Sequence, residues 1–189
     1  MIHSKLIPNA QYNDALRGEK YGGLELASME QTHSDICLEI NKPGIYYADA
    51  LITKQRKLML VVKTADCMPV LITDGEKVGV VHIGWKGIEN DIFYKTISNF
   101  NLNKLKVSIG PHAQKCCYEV SEDLESKFSK LCLKQENKIY LDLSKGIKDF
   151  CYENKVDVEV SDVCTIENKK YYSYRRNKTK KRQISTLWI

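Results

Sequence analysis

The chain has 189 residues, 43% of them hydrophobic and 28% charged, with a formal net charge of +5. Such a length suits a single domain, here 1–189, and such a composition is ordinary for a packed globule and argues against disorder. Its densest apolar runs, 58–62 and 78–83, fall far short of the roughly 18 residues that span a bilayer, and Lys5, Asp14, Arg17, Glu19 and Lys20 leave no room for a secretory leader.

The expectation is therefore a soluble, cytoplasmic chain without a membrane partner. Residues 1–30 are weakly patterned, with a turn at Gly22-Gly23. The run KLMLVVK at 57–63 suits a buried strand. Two more strands, 69–73 and 77–83, are joined through Asp74-Gly75, a hairpin turn signal. The spacing of Ile88, Ile92, Phe93 and Ile97 predicts a helix over 87–99. Leu105, Val107 and Ile109 alternate, which predicts a strand over 104–109 ending at Gly110-Pro111. Ser121 can cap a helix with Glu122 and Asp123 in its first turn and a buried stripe of Leu124, Phe128 and Leu131. A strand at Ile139, Leu141 and Leu143, a helix at Ile147, Phe150 and Cys151, a strand at Val156, Val158 and Val160 and a last strand over 184–189 complete the chain. Strands alternating with helices, one hairpin included, predict an α/β fold: a mixed sheet with flanking helices.

Between Lys169 and Arg182 there are eight Lys or Arg residues and no acid. This run reads first as a solvated surface, with an anion site as the competing reading. Interleaved Tyr171, Tyr172 and Tyr174 admit a third, a nucleic-acid module that stacks bases, although nucleic acid is not the expected partner. Seven cysteines, an odd number without a leader, argue against a disulfide framework, and the absence of any C-x-x-C pair rules out a zinc ribbon. Cys132 and Cys151 fall in amphipathic patterns and are expected in the core.

The chain has four histidines: His3, His33, His82 and His112. His33 lies in QTHSD, His82 in VVHIGWKG, and Cys67 between them in TADCMP. Pro69 cannot donate to a ladder, so regular pairing breaks near Cys67. With the turn at 74–75, positions 67 and 82 lie about equally far from it, so their side chains can meet at the open end of the hairpin. Gly84 and Gly87 allow close approach of backbone or ligand. Two histidines and one thiolate suit zinc and leave a fourth position open. The competing reading is a core cysteine with two hydrogen-bonded loop histidines.

In order along the chain, QTHSD (31–35), ADALIT (48–53), KTADCMPVLI (63–72), VVHIGWKG (80–87), IGPH with CCYEV (109–120), and YSYRR with RQIS (172–185) resemble the blocks of the laccase-domain family. These are polyphenol oxidase-like proteins now read as purine nucleoside phosphorylases. The resemblance runs from about residue 29 to the end and implies zinc held by His33, Cys67 and His82. It also implies phosphorolysis of adenosine, guanosine, inosine and methylthioadenosine, adenosine deamination as a second activity, and a sandwich like that of toxin-type cysteine hydrolases. The family's early Thr-Arg-x-Gly-Gly block is not found here, and Lys86 stands where the family has arginine, removing a bidentate fork.

On this reading the partners are purine nucleosides and phosphate. Lys86, Arg175, Arg176 and Arg182 are candidates for the phosphate because they supply charge-assisted donors. Asp66, beside Cys67, can orient a ligand or relay a proton, or simply cap a turn. Cys117 and Tyr118 are candidates to line the pocket, with packing as the alternative. Deamination would draw on water activated at the ion. A second hypothesis is a hydrolase of small amides or esters with Cys67 as nucleophile and His82 as base. Peptidoglycan-precursor editing, also linked to the family, is selected by none of these residues. A copper oxidase is disfavoured because a multicopper enzyme needs more histidines than four, although copper also suits the same three ligands.

Overall fold

The structure is a computed structural model and describes residues 2–12 and 23–189. Gly23 has the positive φ of +81° expected of a turn, while Gly22 lies outside the described residues. Two short strands, β1 (Ile2–His3) and β2 (Gln11–Tyr12), precede β3 (Glu25–Glu30), β4 (Cys37–Glu39), β5 (Gly44–Tyr47) and β6 (Ala50–Thr53). Three longer strands follow: β7 (Leu58–Thr64), β8 (Met68–Thr73) and β9 (Val78–Ile83). Helices α1 (Trp85–Glu89) and α2 (Ile92–Ile97) lead to β10 (Lys106–Ile109) and α3 (Glu122–Lys127). The chain continues through β11 (Cys132–Gln135), β12 (Lys138–Leu141), α4 (Lys145–Glu153), β13 (Asp157–Val160), α5 (Tyr174–Asn177) and β14 (Gln183–Leu187).

These strands form two six-stranded mixed sheets, ordered β1-β2-β14-β7-β3-β5 and β13-β10-β8-β9-β6-β4, plus the small hairpin β11-β12. Leu58, Leu60 and Val62 of β7, Ala27 and Met29 of β3 and Leu187 of β14 meet Leu51, Leu71, Val78 and Val80 from the second sheet in one buried cluster. The second sheet's other face presents Met68, Val70, Ile72, Val81 and Ile83 to Ile92, Phe93 and Ile97 of α2 and to Ile147 and Cys151 of α4. The layers are thus sheet, sheet, helices. Every residue of β8 and β9 is buried, because apolar layers cover both faces of their sheet. The α/β fold with a mixed sheet and flanking helices is present, with a second sheet that periodicity did not separate.

Several boundaries differ from the sequence expectation, each for a local reason. The single helix over 87–99 is two, because Asp91 takes a left-handed conformation (φ 58°) that short polar residues tolerate. The break turns Ile92 and Phe93 fully into the core. The helix that follows Ser121 ends at Lys127, has no capping hydrogen bond from the serine side chain and buries none of its own residues; Phe128 and Leu131 pack partly on the core beyond it. Cys132 is only half-buried because it starts β11, whose Glu136-Asn137 turn has two positive φ angles, as hairpin turns of the primed type require. Cys151 is buried, as expected.

The β8-β9 turn is longer than two residues. Thr73 pairs with Val78, so 74–77 form the loop. Asp74 Oδ1 accepts the backbone N–H groups of Glu76 (3.0 Å) and Lys77 (2.9 Å), and Gly75 supplies φ +89°. This shifts the register: His82 lies across from Pro69 rather than Cys67. Cys67, two residues earlier on the same face as Pro69, becomes the diagonal neighbour of His82. That face is the one toward the first sheet, so His82 follows Val78 and Val80 out to the end of the gap between the sheets. No helix among the described residues is long and apolar enough to cross a membrane.

Candidate metal centre and its pocket

His33 comes from the loop after β3. The side chain of Gln31 extends strand pairing there, donating to Lys63 O (2.7 Å) and accepting Lys63 N–H (2.9 Å). The chain then reverses, with His33 at φ 63°. Asp49, fully buried just before β6, fixes this reversal by accepting the backbone N–H groups of Thr32 (3.1 Å), His33 (3.1 Å) and Ser34 (2.6 Å) and the Ser34 hydroxyl (2.7 Å). The same carboxylate lies 2.7 Å from His82 Nδ1. One acid therefore sets both the backbone of the loop histidine and the ring of the strand histidine. With Nδ1–H donating to Asp49, His82 Nε2 would be left free to bind a metal, the arrangement usual where a carboxylate backs a metal-binding histidine.

The donor atoms of His33, Cys67 and His82 all lie within 4.8 Å of one another. Cys67 Sγ is 3.7 Å from His33 Nε2, and the two imidazole rings sit 4.7 Å apart at 67°. An ion bonded to nitrogen and sulfur at about 2.0–2.3 Å needs tetrahedral donors roughly 3.5 Å apart, so this set fits zinc after small side-chain rotations. Gly84 makes the approach possible: a Cβ there would lie 2.8 Å from Cys67 Sγ and 3.3 Å from His33 Cδ2.

The electrostatics favour a thiolate. Burial opposes charge on Cys67, but hydrogen bonds from His33 and His82 outweigh it and bring the thiol down to about 6. Burial likewise opposes charge on His82, yet Asp49 and Cys67 together raise it to about 9. Asp49 is held at about 2, burial being overcome by the donors of His82 and Ser34.

These three residues floor a cavity of about 670 Å³. Trp85, Tyr118 and Tyr174 contribute aromatic walls, and Lys63, Arg175, Lys178 and Arg182 the cations. Arg175 lies 4.9 Å over the Tyr118 ring. Burial, then the negative charge of Cys67, raises the Tyr118 phenol to about 12, so it keeps its proton.

The other residues singled out in the sequence divide. Asp66 lines the cavity, but its oxygens accept the Thr165 hydroxyl (2.8 Å) and the Arg175 backbone N–H (2.6 Å), which ties the β7-β8 link to α5. Arg176 does not reach the cavity: its guanidinium is spent on the carbonyls of Thr165, Ile166 and Tyr171. Lys86 is exposed on α1 with Nζ 5.6 Å from the Trp85 ring, outside the lining. Cys117 turns away to Cys116 and Cys164. Sequence reasoning missed Asp49 and Lys63. The signal for Asp49 was an acid flanked by apolar residues in ADALIT, since a carboxylate buried there must be hydrogen-bonded.

Two mixed sheets carry two imidazoles and a thiolate at one end of their interface, a donor set that could hold a metal ion. The sequence pattern of the family described as "multi-copper polyphenol oxidoreductase laccase" matches residues 11–189. The chain belongs to that laccase-like family. It is 36% identical to a purine nucleoside phosphorylase of Clostridium acetobutylicum, over 87% of this chain and 78% of that one. It is 30% identical to a purine nucleoside phosphorylase of Aquifex aeolicus, over 94% and 89%. Among solved structures, a Neisseria meningitidis protein of the DUF152 family superposes with a TM-score of 0.78 at 26% identity, covering 88% of this chain and 76% of that one.

Proposed function

We propose that this pocket performs zinc-dependent phosphorolysis of purine nucleosides, with adenosine, inosine, guanosine and methylthioadenosine as the substrate class and adenosine deamination as a second activity. The observation that carries the reading is the convergence of His33, Cys67 and His82 beneath a rim of Lys63, Arg175, Lys178 and Arg182. The phosphorylase names of the relatives support it. His33, Cys67 and His82 would hold the zinc ion, which would supply Lewis-acid chemistry there.

The chain's own groups account for the rest. The rim cations hold phosphate against the ribose, so that a phosphate oxygen forms its bond to C1′ as the C1′–N9 bond breaks. Charge-assisted donors suit that anion better than they suit a neutral nucleophile. Trp85, Tyr118 and Tyr174 offer flat apolar walls to the purine. The protonated Tyr118 hydroxyl is a donor for the negative charge that develops on the departing base. Thr64 Oγ1, at the wall, is buried without a hydrogen-bond partner and is available to a substrate hydroxyl. The products are free purine and ribose 1-phosphate. The purified protein is expected to release adenine or hypoxanthine only when phosphate is present, and His33→Ala to abolish the release. Release unaffected by that substitution would overturn the site assignment.

One observation favours a second reading. Asp49, His82 and Cys67 stand in the order of an acid, a base and a nucleophile, as in a cysteine hydrolase. Metal analysis separates the two. Near-stoichiometric zinc that disappears in Cys67→Ala supports the phosphorylase; a metal-free protein that cleaves small esters supports the hydrolase.

A further inference from the structure

A second cluster of ligating atoms lies outside the pocket. Cys116, Cys117 and Cys164 bring their sulfurs within 4.8 Å of one another, Cys116 and Cys117 standing 3.2 Å apart. The first two belong to the turn after Ala113, where Cys117 N–H and Tyr118 N–H both donate to Gln114 O. Cys164 begins another turn, held to the first by the bridge between His112 and Cys164 and by Thr165 N–H donating to His112 O (3.0 Å). Two turns far apart in sequence are thus fastened together where their thiols meet.

One further feature sets this cluster apart from chance packing. The three side chains grade from exposed Cys116 through half-buried Cys117 to buried Cys164, giving an ion a route in.

We propose that Cys116, Cys117 and Cys164 form a second, all-sulfur site that binds one soft metal ion, monovalent copper first among them. The chemistry selects the ion. Three thiolates without imidazole or carboxylate are a soft ligand set. No fourth His, Cys, Asp or Glu joins the cluster among the described residues. Structural zinc takes four protein ligands and would be one short, whereas monovalent copper is satisfied by thiolates in lower coordination. Binding releases thiol protons and changes no oxidation state. The site is independent of the phosphorylase reading, because none of the three sulfurs lines that pocket.

The test uses reduced, metal-free protein carrying His33→Ala and Cys67→Ala, which silences the pocket ligands, titrated anaerobically with Cu(I) against a chromophoric Cu(I) chelator. One equivalent is expected to be retained. Adding Cys116→Ser, at an exposed position that leaves the fold intact by circular dichroism, is expected to weaken retention at least tenfold, and Cys164→Ser to do the same. Cys132→Ser, outside the cluster, is expected to change nothing. Loss of all Cu(I) binding in the His33/Cys67 background, retention untouched by Cys116→Ser, or a stoichiometric zinc ion that Cu(I) does not displace would each overturn the proposal.

Discussion

Asp49 does more at the site than any ligand does alone. Its carboxylate receives three backbone N–H groups, a hydroxyl and the His82 ring, so it fixes the loop and the strand in one geometry. Asp49→Asn keeps the shape and removes the charge. It is expected to weaken zinc about 10–100-fold, read by competition with a chelator, while His33 and Cys67 remain present. Gly84 is the complementary case, where a missing atom matters. Gly84→Ala puts a methyl group 2.8 Å from the Cys67 sulfur. The expected outcome is loss of metal with a stability cost of about 1–3 kcal/mol from overpacking, measured by zinc content and urea unfolding together. An unchanged zinc content in Gly84→Ala would show that the sulfur has room the geometry denies it. The candidate ligands were legible as residue types in distinctive blocks, His33, Cys67 and His82 all being named from the sequence. Arg176 shows the limit: its charge is visible in the sequence, but not that three carbonyls consume its donors.

Among the elements, the β8-β9 hairpin decides whether Cys67 and His82 meet. Its four-residue turn rests on Asp74, whose carboxylate accepts N–H groups from Glu76, Lys77 and Asn101. Burial raises the Asp74 carboxyl, but those donors outweigh it and leave it below its ordinary value. A lowered folded-state value means that this contribution to stability is complete above the unfolded carboxylate range and is lost as pH falls through and below it. Asp74→Ala is expected to cost about 1–3 kcal/mol at neutral pH by urea unfolding. The difference from the parent should shrink as the pH is lowered below about 4. An equal difference at acid and neutral pH would assign the effect to shape rather than charge. The sequence marked this turn through Asp74-Gly75 but not its length, because Thr73–Val78 pairing depends on which faces the two sheets bury. The helix break at Asp91 was hidden for a related reason. The apolar spacing continues across it, and only the packing of Ile92 and Phe93 against the sheet requires the bend.

For the whole molecule, the pocket exists because two sheets end together. β3, β7 and β9 each deliver a strand end to the same rim, and the cluster of Leu60, Leu71 and Val80 beneath holds the sheets at a fixed separation. Leu71→Ala empties part of that layer and is expected to cost about 2–5 kcal/mol by denaturant unfolding. Tyr152→Ala, at a side chain 88% exposed, is expected to stay within about 0.5 kcal/mol of the parent. If both variants unfolded alike, the inter-sheet layer would not be what positions the rim.

The sequence by itself determined the buried central strands, since apolar runs such as 57–63 in the first sheet and 78–83 in the second can persist only where both faces are covered. It also determined the amphipathic helix α4 and the candidate ligand residues His33, Cys67 and His82, because those depend on local pattern and residue type. Only the tertiary structure decided that there are two sheets rather than one, that Asp49 joins the ligand-bearing segments, and which of the basic residues face the cavity. Those outcomes depend on register and on contacts between residues distant in sequence, and a one-residue change of register turns every side chain of a strand to the other face.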